Sequence, residues 1–297
     1  MKRLIKKIMV SALAVMMVCS CFFFTGCRDV KKLEITVSVR VEEDGLYKLE
    51  EQKLTIDLYR HLADKTVDAI MEYANSGYYN GTFFYQTIRF NDDTTHNTKL
   101  LIGDLRFDET TGTIVKNAAK PNIEGQFTHG GTVGSDLMNV EGSVGLWRTW
   151  NANDSYSSYN STNTGSATLY FPTGDITAYN DCFCVFGKFD VESDGNKDAW
   201  ANIKTSCSDA DYYDEYVIYY TGEYSDAADA VDNGLTFHCV TKAEYDSMSE
   251  EQLEEVFKAE GAQSVAYNSC TIRVPMYQET NTSRAVATSK IVSIRVV

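Results

Sequence analysis

Residues 64–90, DKTVDAIMEYANSGYYNGTFFYQTIRF, leave the chain little freedom, because a capped helix, a turn and a strand follow one another there without slack. Asp64 is placed to accept from the free amides of a first helical turn. Val67, Ile70, Met71 and Ala74 recur at i, i+3, i+4 and i+7 as one apolar stripe. Gly77 ends the helix as a left-handed residue. Asn80 and Gly81 supply the next turn, and the β-branched and aromatic run 82–90 reads as a strand. Upstream, ITVSVRV and KLTIDLY alternate around the polar EEDGLYKLEEQ, which predicts two strands of a hairpin within residues 33–60.

The N-terminus is a different kind of segment. Lys2, Arg3, Lys6 and Lys7 precede a mostly apolar run over 8–24, the pattern of a secretory signal rather than of a fold element. The run is shorter than the roughly 20 residues a spanning helix needs. Phe24-Thr25-Gly26-Cys27 resembles a bacterial lipobox, which implies a signal peptide over 1–26, lipidation of Cys27 with palmitate-type chains, and a short tether over 27–32. The protein is then expected on the extracytoplasmic face of the cell membrane. Loss of 1–26 removes four positive and no negative charges, taking the net charge from −15 to −19. Such acidity argues against nucleic acid and against docking on anionic lipid, and favours basic or neutral partners.

Setting aside the three cysteines in the signal or at its cleavage point leaves five, Cys182, Cys184, Cys207, Cys239 and Cys270, and an odd number cannot all pair internally. Cys182 and Cys184, two apart, are expected on the same face of one strand, a spacing suited to neither a disulfide nor a zinc knuckle. A long-range pair such as Cys207 with Cys239 stays open. Asp190, Glu192, Asp194, Gly195, Asn196 and Asp198 follow the order of a calcium loop, but Ala201 occupies the place of the closing glutamate, so a solvated acidic turn is expected and no metal. His61, His96, His129 and His238 are scattered without metal or triad spacing.

The helix–turn–strand block, TVDAIMEYANSGYYNGTFFYQTI, resembles the cyclophilin segment TV-NF-x-x-Y-x-x-SG-x-Y-x-GT followed by a strand through Phe-His-Arg. IEGQF at 123–127, EGSVGLWR at 141–148, GSATLYF at 165–171 and CVFGKFD at 184–190 are similar to further family pieces in the same order. KLLIGDLRF at 99–107 stands where the family has FMIQGGDF, and KIVSIRVV at 290–297 where it has its last strand. The resemblance implies a mainly β fold, a closed antiparallel β-barrel capped by helices. The barrel is expected over 33–190, a long insertion over 191–285 and the closing strand over 286–297. Within the insertion, 214–221 is strand-like, and SEEQLEEVFKAEG at 249–261 reads as a helix capped by Ser249. Residues 151–164, NANDSYSSYNSTNT, form a polar loop.

The resemblance also implies peptidyl-prolyl cis-trans isomerase activity on secreted, proline-containing proteins. Rotation about an X-Pro bond loses amide resonance, a barrier of about 18–20 kcal/mol. The family holds an arginine over the prolyl nitrogen and grips the ring in an apolar pocket; it needs no metal or cofactor. Here Phe84-Tyr85-Gln86 stands for Phe-His-Arg, so Gln86 replaces the catalytic arginine. A neutral hydrogen bond is weaker than a charged one by enough to cost roughly tenfold in rate. The groove changes as well: Ala167, Thr168 and Leu169 stand for Gln-Phe-Phe, Ala178 for tryptophan, Tyr179 for leucine, Phe183 for histidine and Trp147 for alanine. Phe84, Trp147, Leu169, Tyr179 and Phe183 are the expected groove residues. Arg148 is a candidate substitute cation and Arg89 a poorer one, since alternation turns it away from Gln86. A weak isomerase and a non-catalytic peptide-binding or chaperone-like surface module both remain open, separated by whether the pocket is open beneath a cation.

Overall fold

The computed structural model describes residues 30–88, 98–127, 137–148, 164–180, 182–221, 236–249, 251–252, 270–278 and 285–297. The signal segment, Cys27, Arg89, His96, His129, residues 151–163 and most of the 249–261 run lie outside them. Of that last run, Ser249 and residues 251–252 are described: the Ser249 hydroxyl accepts from the Gln252 backbone amide at 3.1 Å, and the Gln252 side-chain oxygen accepts from the Ser249 backbone amide at 2.8 Å.

Strands β1 (Val30–Glu43) and β2 (Leu46–Tyr59) pair over their whole length. The polar stretch expected to connect them is itself strand, because Asp44 and Gly45 make a two-residue turn with φ of 53° and 76°. Two positive φ values match the strands' twist and fix the register. Helix α1 (Asp64–Asn75) buries Thr66, Val67, Ile70, Tyr73 and Ala74. Asp64 accepts from the Lys65 amide at 2.8 Å, but the external cap is Gln126, which accepts from the Thr66 amide at 3.0 Å and donates to Asp64 at 2.7 Å. Gly77, with φ of 73°, closes the helix, and the Tyr78 amide reaches back to the Tyr73 carbonyl at 3.0 Å.

The strands that follow are β3 (Tyr85–Ile88), β4 (Lys99–Ile102), β5 (Leu105–Asp108), β6 (Thr113–Lys116), β7 (Ser143–Arg148), β8 (Gly165–Pro172) and β9 (Val185–Lys188). After helix α2 (Lys197–Ser208) come β10 (Tyr213–Thr221), β11 (Thr236–Thr241), the short helix α3 (Lys242–Asp246), β12 (Cys270–Gln278), β13 (Ala285–Ala287) and β14 (Lys290–Val296). The protein is mainly β. Twelve strands form one antiparallel sheet in the order β11-β10-β12-β3-β4-β8-β7-β9-β2-β1-β14, with β13 on β12, and β5-β6 form a separate hairpin.

This differs from a plain closed barrel, and helices are few among the described residues. The reason lies at β3, which has β4 on one edge and β12 on the other. The last strand therefore meets the residues just before β3. The Gly81 amide donates to the Ile291 carbonyl at 2.8 Å, the Ile291 amide to the Thr82 carbonyl at 2.7 Å, and the Phe84 amide to the Ser289 carbonyl at 3.0 Å.

One face of the sheet carries a core from Leu33, Ile35, Val37, Leu54, Ile56, Val144, Leu169 and Phe171, closed by α1 and by Trp200, Ile203 and Cys207 of α2. The spacing of Ala199, Trp200, Ile203, Ser206 and Cys207 is a helical stripe, so α2 was readable in the sequence. The other face carries a second cluster with Phe83, Tyr85, Leu101, Tyr170, Phe183 and Ile272. Cys184 belongs to the first cluster and Cys182 to the second. They are not on one face, because β9 starts only at Val185 and residues 182–184 are the exit of a turn. In the acidic stretch before α2, Asn196 turns inward and binds the Thr55 backbone through both amide ends, at 2.8 and 3.2 Å.

Candidate functional site

Alternation along β8 decides what meets on the second face: Ala167, Leu169 and Phe171 point into the first core, and Tyr170 points the other way. The turn after β8 contributes Tyr179 and Phe183, which is held by amides of Cys182 and Phe183 donating to the Tyr179 carbonyl at 3.2 and 3.1 Å. Asn180 fixes this turn by accepting from the Asn139 amide at 2.8 Å. Phe183 stacks on Tyr179 with ring centres 4.5 Å apart and on Trp147 with centres 5.4 Å apart. Tyr170 meets these rings edge-on, 6.2 Å from Trp147 and 5.7 Å from Phe183.

Tyr170 lies against Gly145 of β7, where a Cβ would come within 2.1 Å of its ring. Its hydroxyl donates to Asn139. Burial pushes that hydroxyl well above the usual tyrosine range. Two cations sit in the same cluster. Lys99 is fully buried, with its ammonium 5.1 Å from the Trp147 ring centre, 5.3 Å from that of Tyr179, and donating to the Tyr179 hydroxyl at 3.3 Å. Arg148 is 2% exposed, its guanidinium 4.7 Å from the Phe127 ring centre and 5.3 Å from that of Phe183. Nearby, the Tyr85 hydroxyl meets both oxygens of Asp104 at 2.8 and 2.7 Å. Burial raises the Asp104 carboxyl, and the Tyr85 hydrogen bond works against that rise.

Trp147, Tyr179, Phe183 and Arg148 are thus brought together. Phe84 and Leu169 are not: both are fully buried in the first core, Phe84 edge-on to Phe171 at 5.1 Å. Gln86 also stands apart. It is buried on the face opposite Tyr85, and its side-chain carbonyl accepts from Arg273 of β12, which lies across from it in register, at 3.2 Å. Arg273 is itself held by Glu215 at 3.4 Å and by the Tyr213 ring, 4.6 Å from its guanidinium. Sequence reading missed Lys99, Tyr170 and Arg273. Alternation in ATLYF would have found Tyr170; nothing local marks Arg273, because its partner is 187 residues away.

Among the described residues no group of three or more His, Cys, Asp or Glu side chains converges as a metal site. His238 stacks on Tyr219 at 4.8 Å and His61 meets Tyr59 edge-on at 6.0 Å. All five described cysteines are free, Cys207 and Cys239 included. Burial pushes the Cys184 thiol up to about 11 and that of Cys239 to about 12.

The sequence matches no family model and no curated protein. Among solved structures, a cyclophilin type peptidyl-prolyl cis-trans isomerase of Cryptosporidium parvum is similar over 61% of this chain and 88% of its own, at 16% identity and a TM-score of 0.37. A structure of that protein in the presence of the dipeptide Ala-Pro is similar over 60% of this chain and 88% of its own, at 14% identity and a TM-score of 0.35.

Proposed function

We propose that this chain is a divergent cyclophilin-like protein-binding module in which the isomerase groove is filled by the protein's own side chains. The family pieces occur in order from the 66–88 block to CVFGKFD. The run β3-β4-β8-β7-β9-β2-β1-β14, joined at its ends through 81–84 and 289–291, supports reading those eight strands as the family's closed barrel. The single observation that carries the loss of catalysis is the Trp147–Phe183–Tyr179 stack, with Lys99 beneath it, standing where the resemblance puts the proline pocket.

A substrate ring needs an apolar hollow, and these rings already occupy one another. Catalysis also needs a guanidinium over the prolyl nitrogen. Gln86 offers none and faces the other side of the sheet, Arg273 beside it is engaged by Glu215, and Arg148 is wedged between two phenylalanines. The experiment is exchange NMR of an Ala-Pro peptide with the full chain in detergent. Neither the wild type nor Gln86→Arg is expected to speed isomerisation; catalysis by the wild type that Arg148→Ala abolishes would instead establish a true isomerase.

The reading extends to place and partners. The lipobox-like Phe24-Thr25-Gly26-Cys27 and the basic head support a lipid-anchored protein on the extracytoplasmic face, acting on secreted proteins. Incorporation of labelled palmitate and sedimentation with membranes, both lost in Cys27→Ala, are the expected results.

A further inference from the structure

The β1-β2 hairpin runs past the rest of the sheet. β14 leaves β1 after Ser38, and β9 pairs with β2 only at Asp57 and Leu58. α2 meets the β2 edge at Gln52, whose side-chain oxygen accepts from Asn202 at 3.1 Å. The outer edge of β2 at residues 46–51 therefore has no strand beside it among the described residues, and all six residues are exposed. Three of them are large and apolar: Leu46 is 71% exposed, Tyr47 40% and Leu49 39%. Such an edge on a floppy tip would mean little, but this one is braced. Arg40 sits 3.7 Å from the Tyr47 ring centre and 4.1 Å from that of Tyr212, its guanidinium donating to the Asp211 carbonyl at 3.1 Å. The Tyr277 hydroxyl donates to the Tyr47 carbonyl at 3.1 Å, which takes up that acceptor and leaves the main-chain groups of the edge beyond it, 48–51, for a docking strand.

We propose that this edge is a docking site for an extended segment of another protein carrying apolar residues next to lysine or arginine. An exposed, pre-ordered edge recruits a strand through main-chain hydrogen bonds, and the side chains on its two faces select which strand. On one face Leu46 is followed by Lys48 and then Glu50, on the other Tyr47 and Leu49 by Glu51, so each face carries an apolar contact and, further along, a carboxylate. Glu42, Glu43 and Asp44 add to the negative field. Lys48 is engaged by Glu43 at 2.5 Å and Glu50 at 3.8 Å. The same charges work against other occupants: a second copy would bring the same negative tip, Glu42, Glu43, Asp44, Glu50 and Glu51, up to its like, and an anionic bilayer would be repelled. The site stands whether or not the groove turns over prolyl bonds.

The test uses the full chain in detergent with labelled peptides Lys-Lys-Val-Thr-Val-Val, its reverse, and Glu-Glu-Val-Thr-Val-Val. One of the lysine peptides is expected to bind at least about tenfold more tightly than the glutamate peptide. Its binding should slow amide exchange at residues 46–51 and weaken as salt rises from about 50 mM to about 0.5 M. Glu50→Lys with Glu51→Lys, or Leu46→Ser with Leu49→Ser, all exposed, should each lose about tenfold. Equal binding of all peptides, or protection elsewhere, overturns the proposal. So does protection of 46–51 that rises with protein concentration alone, which would give the edge to a second copy, or binding of the chain to anionic vesicles that the leucine substitutions abolish. None of these readouts involves prolyl isomerisation, so either reading can fail alone.

Discussion

Gly145 shows how a missing side chain sets the aromatic cluster. A methyl there would come within 2.1 Å of the Tyr170 ring, which cannot yield because its hydroxyl is tied to Asn139 and its ring is fully buried. Overpacking of this kind typically destabilises by about 1–3 kcal/mol. Gly145→Ala is therefore expected to lower the urea midpoint clearly, whereas Gly174→Ala, with nothing within 4 Å, should stay within about 0.5 kcal/mol of wild type. Lys99 gives a second residue-scale prediction. Its stem fills space among rings, so Lys99→Met, which keeps most of the volume, should be far less damaging than Lys99→Ala, a truncation of the kind that costs about 2–5 kcal/mol in a core. Equal losses in the two variants would show that the ammonium, not the packing, holds the cluster.

At the scale of elements, α1 depends on a residue far from it in sequence. Gln126 caps the Thr66 amide and donates to Asp64, and its hydrogen bond is the largest cause of the lowered Asp64 carboxyl, followed by the Lys65 amide. Loss of a cap costs about 1 kcal/mol, so Gln126→Ala should destabilise by that order in chemical denaturation at neutral pH. A carboxyl depressed on folding adds stability that is present above its unfolded pKa, about 3.9, and is lost as pH falls through the lower folded value. The gap between wild type and Gln126→Ala should thus narrow in acid below about pH 4; a gap that widens there would break the assignment. The helix itself was legible, since its stripe and Gly77 are local signals. So was the hairpin, although EEDGLYKLEEQ hid its length until the two positive φ values at Asp44 and Gly45 explained it. The cap was not, because 60 residues separate Gln126 from Thr66. For the site, sequence order brought up Trp147, Tyr179 and Phe183, but one position of offset in β8 exchanges Leu169 for Tyr170 and so flips the face.

Across the whole molecule, the question is how the sheet ends. An open sheet leaves its terminal strands to fray, while a closed run gives them the stability of the whole. The long strand β1 has β2 on one side and β14 on the other, and Ile291 of β14 with Ser289 just before it reaches 81–84 through three backbone bonds of 2.7 to 3.0 Å. Meanwhile β12, paired with β3, carries β10 and β11 away from that seam. If the eight-strand run closes, the Gly81, Phe84 and Ile291 amides must exchange only when the molecule unfolds globally, as slowly as amides of the central strands β7 and β8. The β10-β11 extension hangs from one edge, so its amides should exchange faster, through local opening. Native-state hydrogen exchange at low denaturant reads both quantities in one experiment. Seam amides that exchange at the rate of β11 would mean an open sheet, and would remove the barrel from the proposed relationship while leaving the aromatic cluster untouched, since its rings rest on β7, β8 and the turn after β8 rather than on the seam.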